Sequence, residues 1–436
     1  MFERAQMDPL EQRMIEIGLV LAIKRGRQHS GLVDDLVAEA AAARSKGVSG
    51  PTELATDVLM QALQQLWEVG WQPLDSIHAV RRQAPRLEPL ALAAVSEEAR
   101  RSSAALRAPD GWLDQLDELF QLDEDVEAIA PAPEPEVGLF EIEVEDQEGP
   151  EPLTTKPWSA IDMQSEAGRT LRDAWLDVLR LIGILCYQPD MPKLLPPPSK
   201  WSRRHRQNGE RQTTGAHNAK ILGRIRNLLA KAEATPYAAE AEALTAKAQD
   251  LMTRHSIDEA LLQGENEKIA IQSTRIHIVA PYASAKVQLL HHIGEANRVR
   301  VVWSKELAIA TVVGTPVDVR QVEMLFTSLL VQATHAMLEE GGSQSGGHDR
   351  SSSFRKSFLL AYAVRIGERL VEADAQATAA EAKAHGRDLV PMFARQAEAV
   401  ESEFDRLFPR LGKSGTYSVN PRGWDAGRRA ADRAQF

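Results

Sequence analysis

The sequence has few cysteine and aromatic residues and no apolar stretch long enough to cross a membrane. Its 436 residues include one cysteine, Cys186, and aromatic side chains make up only 5% of the total. A single cysteine excludes an internal disulfide bond and is typical of a reducing compartment. The apolar stretch at residues 15–23 is too short to cross a membrane, and the mixed charges before it are unlike those of a signal peptide. We therefore expect a cytoplasmic protein that does not associate with a membrane.

The common catalytic and cofactor-binding motifs are also missing. There is no HExxH zinc motif and no glycine-rich dinucleotide fingerprint. Residues 412–414 (Gly-Lys-Ser) resemble the end of a P-loop, but Leu407 stands where that motif needs a glycine. His292 and Glu295 could share a helical face, yet no third ligand has a marked spacing. We predict no catalytic residue, metal or cofactor, with an uncharacterised hydrolase in the C-terminal domain as an alternative.

The composition favours helix over strand. Alanine, leucine, glutamate and arginine dominate the chain, and all four have high helix propensity. Alternating apolar residues near 269–278, 298–303 and 307–313, with helical patterns between and after them, predict a β-α-β-β-α order. The predicted fold is mainly α, with an N-terminal helical region, a central helical hairpin and a smaller α+β C-terminal domain with further helices. We expect the sheet to be antiparallel and covered by helices on one face.

The net charge of -11 is unevenly distributed along the chain. Between Asp114 and Glu151 there is no lysine or arginine, and several prolines interrupt the acidic residues. Such a composition is typical of a disordered linker. From Lys200 to Lys231 the balance is reversed, and Glu210 is the only acidic residue before Glu233. The chain therefore has one acidic and one basic segment.

These patterns predict six consecutive segments. They are a helical domain (1–120), an acidic Pro-rich disordered linker (121–160), a helix with a Pro-rich segment (161–198), a basic linker (199–218), a helical hairpin (219–264), and an α+β plus helical C-terminal domain (265–436).

The hairpin has the clearest local signals. Apolar residues recur at helical spacing in both of its helices: Ile221, Leu222, Ile225, Leu228, Leu229 and Ala232, then Ala241, Leu244, Ala248, Leu251, Met252 and His255. Thr235 and Pro236 are suited to the first positions of the second helix. Ser256, with Glu259 three residues later, predicts a capping box that opens a third short helix. The sequence thus predicts two antiparallel helices joined by a short turn.

This spacing resembles the bacterial and phage family known as domain of unknown function 2786. The matching residues are Lys220, Ile225, Leu228, Leu229, Ala232, Thr235, Glu240, Ala241, Lys247, Ala248, Gln249, Leu251, Met252, Ile257 and Asp258. The segments SFRKSFLLAYAVRIGERL and GWDAGRRAADRA further resemble a companion C-terminal domain, domain of unknown function 7168. Neither resemblance implies a catalytic residue.

The basic residues before and along the first hairpin helix are the candidate binding site. They are Lys200, Arg203, Arg204, Arg206, Arg211, Lys220, Arg224, Arg226 and Lys231. Clustered lysine and arginine side chains bind nucleic-acid phosphates by releasing counterions, so DNA or RNA is the predicted partner. The acidic linker could occupy the same cations in the free protein. A protein–protein scaffold, with a partner bound through the acidic linker or the N-terminal helices, is the alternative.

Overall fold

Helices account for most of the described residues in both halves of the chain, which confirms the predicted mainly α fold. The computed structural model describes residues 9–23, 33–45, 50–127, 158–202, 221, 224–229, 231, 247–248, 251–257, 269–342, 351–385, 390–411 and 420–434. The chain divides into two compact units, Met1–His205 and Arg206–Phe436. The division falls inside the segment predicted to be a basic linker.

The N-terminal unit is built from helices alone, as far as its described residues show. They are α1 (Pro9–Ile23), α2 (Asp34–Ser45), α3 (Gly50–Glu68), α4 (Pro73–Gln83), α5 (Glu88–Arg101), α6 (Ala104–Arg107), α7 (Asp110–Glu127), α8 (Ala160–Glu166) and α9 (Leu171–Cys186). Proline stands in the first turn of α4 and α5, where its missing N–H costs no hydrogen bond.

The central packing of this unit is the crossing of α1 and α9 at two glycines. A Cβ atom added to Gly183 would lie 1.9 Å from the carbonyl oxygen of Gly18, so only glycine permits this approach. The side chains around the crossing, including Trp175 and Ile182, are fully buried. The helix predicted in segment 161–198 therefore packs in the same unit as the preceding helices.

One boundary differs from the sequence prediction. The acidic linker was predicted to begin at residue 121, but α7 continues to Glu127. Glutamate and aspartate do not break a helix by charge alone, and no proline occurs between Pro109 and Pro131. The acidic composition therefore predicted the end of this helix too early. Residues 128–157 of the predicted linker lie outside the described residues.

The C-terminal unit combines a small sheet with long helices. Its elements are β1 (Gln272–His277), α10 (Ala283–Ala296), β2 (Arg300–Ser304), β3 (Ile309–Gly314), α11 (Pro316–Gly342), α12 (Ser352–His385), α13 (Val390–Leu407) and α14 (Pro421–Arg433). The strands are antiparallel in the order β1-β3-β2. The predicted β-α-β-β-α order is confirmed.

Helices cover both faces of this sheet, so the expected single covered face is wrong. Ala310 and Val312 on one face join the core formed with α10 and α11. Neighbouring residues along a strand point to opposite faces, and α13 contacts β2 and β3 on the other side. There the guanidinium carbon of Arg300 lies 4.4 Å from the ring centroid of Phe404. Every residue of β3 is buried as a result.

Close contact also joins α12 to α14. Cβ atoms on Gly423 and Gly427 would lie 2.4 and 2.1 Å from the carbonyl oxygens of Phe354 and Phe358. Arg369 of α12 donates hydrogen bonds to the carbonyl oxygens of Ala431 and Ala434 at the end of α14. The final helix is thus fixed along its length. Within the described part of the chain, no helix is long and apolar enough to cross a membrane.

Candidate functional site

The structure describes four of the nine predicted cationic residues. Lys200 is exposed in the N-terminal unit, and Arg224, Arg226 and Lys231 are exposed in the C-terminal unit. The other five lie outside the described residues: Arg203, Arg204, Arg206, Arg211 and Lys220. The positions of Arg224, Arg226 and Lys231 can therefore be described relative to the apolar core of the hairpin.

The described residues of the hairpin form an apolar core. Ile225, Leu229, Ala248 and Met252 form one buried cluster, and each is at most 4% exposed. These residues belong to both predicted inner faces, so the helical periodicity correctly identified the described part of this core. Met324 of α11 packs against the cluster and joins it to the C-terminal unit.

The basic side chains lie on both sides of this buried stripe. In a regular helix, residues seven apart differ by about 20° around the axis and about 10.5 Å along it, so Arg224 and Lys231 share one flank. Arg226 lies on the other flank, and the exposed Asn227 lies between the two flanks at the outermost position. Arg224 and Lys231 can therefore contact one extended ligand together.

These cations differ from the arginines of the last helix in their pairing. None of Arg224, Arg226 and Lys231 forms an ion pair with another described residue. In contrast, Arg428 pairs with Glu368, and Arg433 lies 2.7 Å from Glu340. The positive charge of α14 is largely compensated within the unit, whereas that of the first hairpin helix is presented to solvent.

Trp201 is unavailable as a base-stacking platform beside the basic linker. It is 7% exposed, and its indole Nε1 donates to the carbonyl oxygen of Pro196 at 2.8 Å. Its ring packs edge-on against Trp112, with 5.2 Å between the centroids. This contact attaches the beginning of the basic linker to the N-terminal unit. The aromatic residue next to the arginines is therefore structural.

A buried polar network attaches the second hairpin helix to the C-terminal unit. Ser256 Oγ donates to Asp318 Oδ1 at 2.7 Å. Gln321 Nε2 donates to the carbonyl oxygen of Met252 at 3.0 Å, and both Gln321 and Asp318 are 1% exposed. At the surface, Arg254 lies 3.4 Å from Glu381 of α12. Apolar and polar contacts thus together attach the second hairpin helix to the C-terminal unit.

Ser256 has a different role from the one predicted. The described helical segment 251–257 continues past Ser256, and its hydroxyl is directed to Asp318 rather than placed at a helix start. Glu259 and the third short helix predicted after Ser256 lie outside the described residues, so that part of the prediction stays a prediction. The capping residue that the structure does show nearby is Thr315, whose Oγ1 accepts from the backbone N–H of Asp318 at 3.3 Å.

The histidine pair on α10 forms no metal site with other described residues. His292 Nδ1 lies 3.7 Å from Glu295, but no group of three or more candidate ligands occurs in the described part of the chain. Burial lowers the pKa of His292, and the nearby His291 lowers it further. The P-loop-like residues 412–414 lie outside the described residues.

Sequence reasoning missed the network around Asp318. A Thr-Pro-x-Asp pattern at 315–318 is a readable helix start, and it could have marked Thr315 and Asp318 as capping residues. That pattern does not predict that Asp318 bonds to Ser256, which lies 62 residues earlier, or to Gln396, which lies 78 residues later. These partners meet through tertiary packing alone.

Comparison with known families identifies the hairpin region. Residues 220–259 match the family described as Protein of unknown function (DUF2786), and they make up about a tenth of the chain. The match supports the resemblance predicted from the hairpin spacing. No curated protein and no solved structure matches the chain.

Proposed function

We propose that the protein binds the phosphate backbone of DNA or RNA through the basic face of the hairpin. The observation that supports this proposal is that Arg224, Arg226 and Lys231 are exposed and form no ion pair with another described residue. Clustered cations of this kind displace counterions from phosphates, and the gain in counterion entropy drives binding. The proposed site also includes the preceding basic residues: Lys200, Arg203, Arg204, Arg206, Arg211 and Lys220.

Binding through this face is expected to be largely independent of sequence. Arg224 and Lys231 lie about two turns apart on one flank, a spacing suited to successive contacts along a phosphate backbone. Asn227, between the flanks, adds a polar side chain that can hydrogen-bond a phosphate or a sugar. We propose no base-reading contact for this helix.

Two further attributes accompany the proposal. We propose a cytoplasmic location, which the single cysteine supports, and a bacterial or phage origin, in keeping with the resemblance stated for the hairpin sequence. We also propose that the C-terminal segments that resemble domain of unknown function 7168 form such a domain. The described polar cluster around Asp318 is buried, so we propose no catalytic role for that cluster.

Fluorescence anisotropy with a labelled DNA duplex and a labelled single-stranded RNA tests the proposal. The variant Arg224→Glu/Lys231→Glu should bind at least about tenfold more weakly at low salt, a loss of about 1.4 kcal/mol. The matched control is Lys305→Glu/Arg410→Glu, which makes the same change in net charge at two other exposed positions. No binding by the wild type, or equal losses in both variants, would contradict the proposed site.

A further inference from the structure

The carboxyl group of Asp318 joins three separate parts of the C-terminal unit. It accepts hydrogen bonds from Ser256 of the hairpin at 2.7 Å, from Thr315 at the start of α11 at 2.7 Å, and from Gln396 of α13 at 2.7 Å. All four residues are buried. Ser256 and Gln396 approach from elements that are distant in sequence from Asp318, so the carboxyl group fixes the positions of these elements relative to the start of α11.

The hairpin needs such a directional contact because the apolar attachment formed by its described residues is small. The buried cluster contains four residues, with Met324 as the neighbour contributed by α11. Apolar burial is non-directional, so a small cluster tolerates rotation or sliding of the helix. Buried hydrogen bonds are directional, and leaving a donor or an acceptor unpaired inside a protein is costly. The polar network therefore restricts the hairpin to one orientation.

We propose that Ser256 and Asp318 are positioning residues for the basic face of the hairpin. Their hydrogen bond fixes the second hairpin helix on α11, and the shared apolar cluster transmits this position to the first helix, which carries Arg224 and Lys231. This inference rests on the proposed phosphate binding and deepens it. Neither Ser256 nor Asp318 contacts the nucleic acid in this arrangement, because both are buried.

A positioning role has a signature that a phosphate contact lacks. Loss of the hydrogen bond between Ser256 and Asp318 lowers the fraction of molecules in which the hairpin has the orientation that binds nucleic acid. The apparent affinity falls by the same factor. The number of phosphates contacted in the competent state does not change, so the salt dependence of binding stays as in the wild type. Loss of a cation that contacts phosphate instead reduces the salt slope by about 0.9 for each contact on duplex DNA.

The chain offers a matched pair of variants for this test. Ser256→Ala removes the bond between the hairpin and Asp318, whereas Gln396→Met removes the bond between α13 and the same carboxyl group. Gln396 Oε1 has no hydrogen-bond partner among the described residues, so its replacement by an apolar side chain leaves no new unpaired group at that position. Ser256→Thr retains a hydroxyl group and should restore binding. Gln321→Met, which removes the bond to Met252, is a second hairpin variant if Ser256→Ala fails to fold.

The experiment uses the full chain and measures DNA affinity over a range of salt concentrations, together with amide hydrogen exchange at 224–229 and 251–257. For Ser256→Ala we expect a loss of affinity of about three- to tenfold, the range that one buried hydrogen bond supports, with an unchanged salt slope. Exchange should be faster in both hairpin segments. Gln396→Met should keep both properties close to those of the wild type.

Two results would overturn the inference. One is a Ser256→Ala variant with wild-type affinity and wild-type exchange, and the other is an equal loss in Ser256→Ala and Gln396→Met, which would indicate general destabilisation. Failure of the proposed function is distinguishable, because the wild type would then bind no DNA or RNA while Ser256→Ala still showed faster exchange confined to the hairpin.

Discussion

The indole Nε1 of Trp67 donates a hydrogen bond of 2.9 Å to Oε2 of Glu98, and both side chains are buried in the N-terminal unit. Burial raises the pKa of Glu98 above its ordinary value, while the hydrogen bonds from Trp67 and Gln64 act in the opposite direction. A carboxyl group is thus held in an interior that disfavours its charged form.

This burial makes the stability of the N-terminal unit depend on pH. Between the ordinary pKa of a glutamate and the raised pKa of Glu98, the folded state binds more protons than the unfolded state. The contribution of Glu98 to the free energy of unfolding therefore falls as the pH rises through this window and does not change further above it. Glu98→Gln keeps an acceptor for Trp67 and should stabilise the protein by about 1 kcal/mol at neutral pH.

Urea unfolding of this variant at a series of pH values checks the prediction. The control Glu118→Gln alters an exposed glutamate of α7 and should change the free energy of unfolding by less than about 0.5 kcal/mol. A less stable Glu98→Gln variant at neutral pH would show that the ionised carboxyl group is required for folding.

The crossing of α1 and α9 should tolerate no side chain at Gly183. Gly183→Ala places a methyl group in the backbone of α1, and we expect a loss of about 3 kcal/mol, at the upper end of overpacking effects. Gly111→Ala is the control, since its Cβ would lie 3.6 Å from Leu195 in ordinary contact. It should stabilise the protein by about 0.5 kcal/mol through reduced freedom of the unfolded chain. Thermal unfolding by circular dichroism measures both, and equal stability of the two variants would disprove the close crossing.

Two arginines, one in the turn before β2 and one at its first residue, should differ in how strongly they fix α13. Arg298 lies 4.6 Å from the ring centroid of Phe393 and 3.2 Å from Asp374, and its side chain is 16% exposed. Arg298→Met should therefore cost about 1–2 kcal/mol. Arg300 makes similar contacts but is 49% exposed, so Arg300→Met should cost less than about 1 kcal/mol. Chemical denaturation compares the variants, and the reverse order would contradict the account.

The sequence was informative wherever the signal was local. The spacing of Ile225 and Leu229 identified the buried side of the first hairpin helix, and the alternation near 307–313 identified the central strand. Both depend on the fixed periods of helix and strand, which one segment reveals without its neighbours.

Features that depend on tertiary contacts could not be predicted in this way. Trp201 next to a row of arginines has the same sequence pattern whether it stacks on a base or packs on Trp112. The second face of the sheet is covered because α13 packs on β2 and β3. The amphipathic pattern of α13 does not indicate which strands it packs against. The bond from Ser256 to Asp318 joins segments separated by 62 residues.

The salt dependence of duplex DNA binding tests the central claim most directly. For the wild type, the logarithm of the binding constant should fall linearly with the logarithm of the salt concentration. Replacing both cations of one flank, in Arg224→Gln/Lys231→Gln, should reduce the magnitude of that slope by about 1.8, because two phosphate contacts are lost. Wild-type binding that is insensitive to salt, or a slope that the double variant leaves unchanged, would contradict the assignment of the hairpin face to phosphate binding.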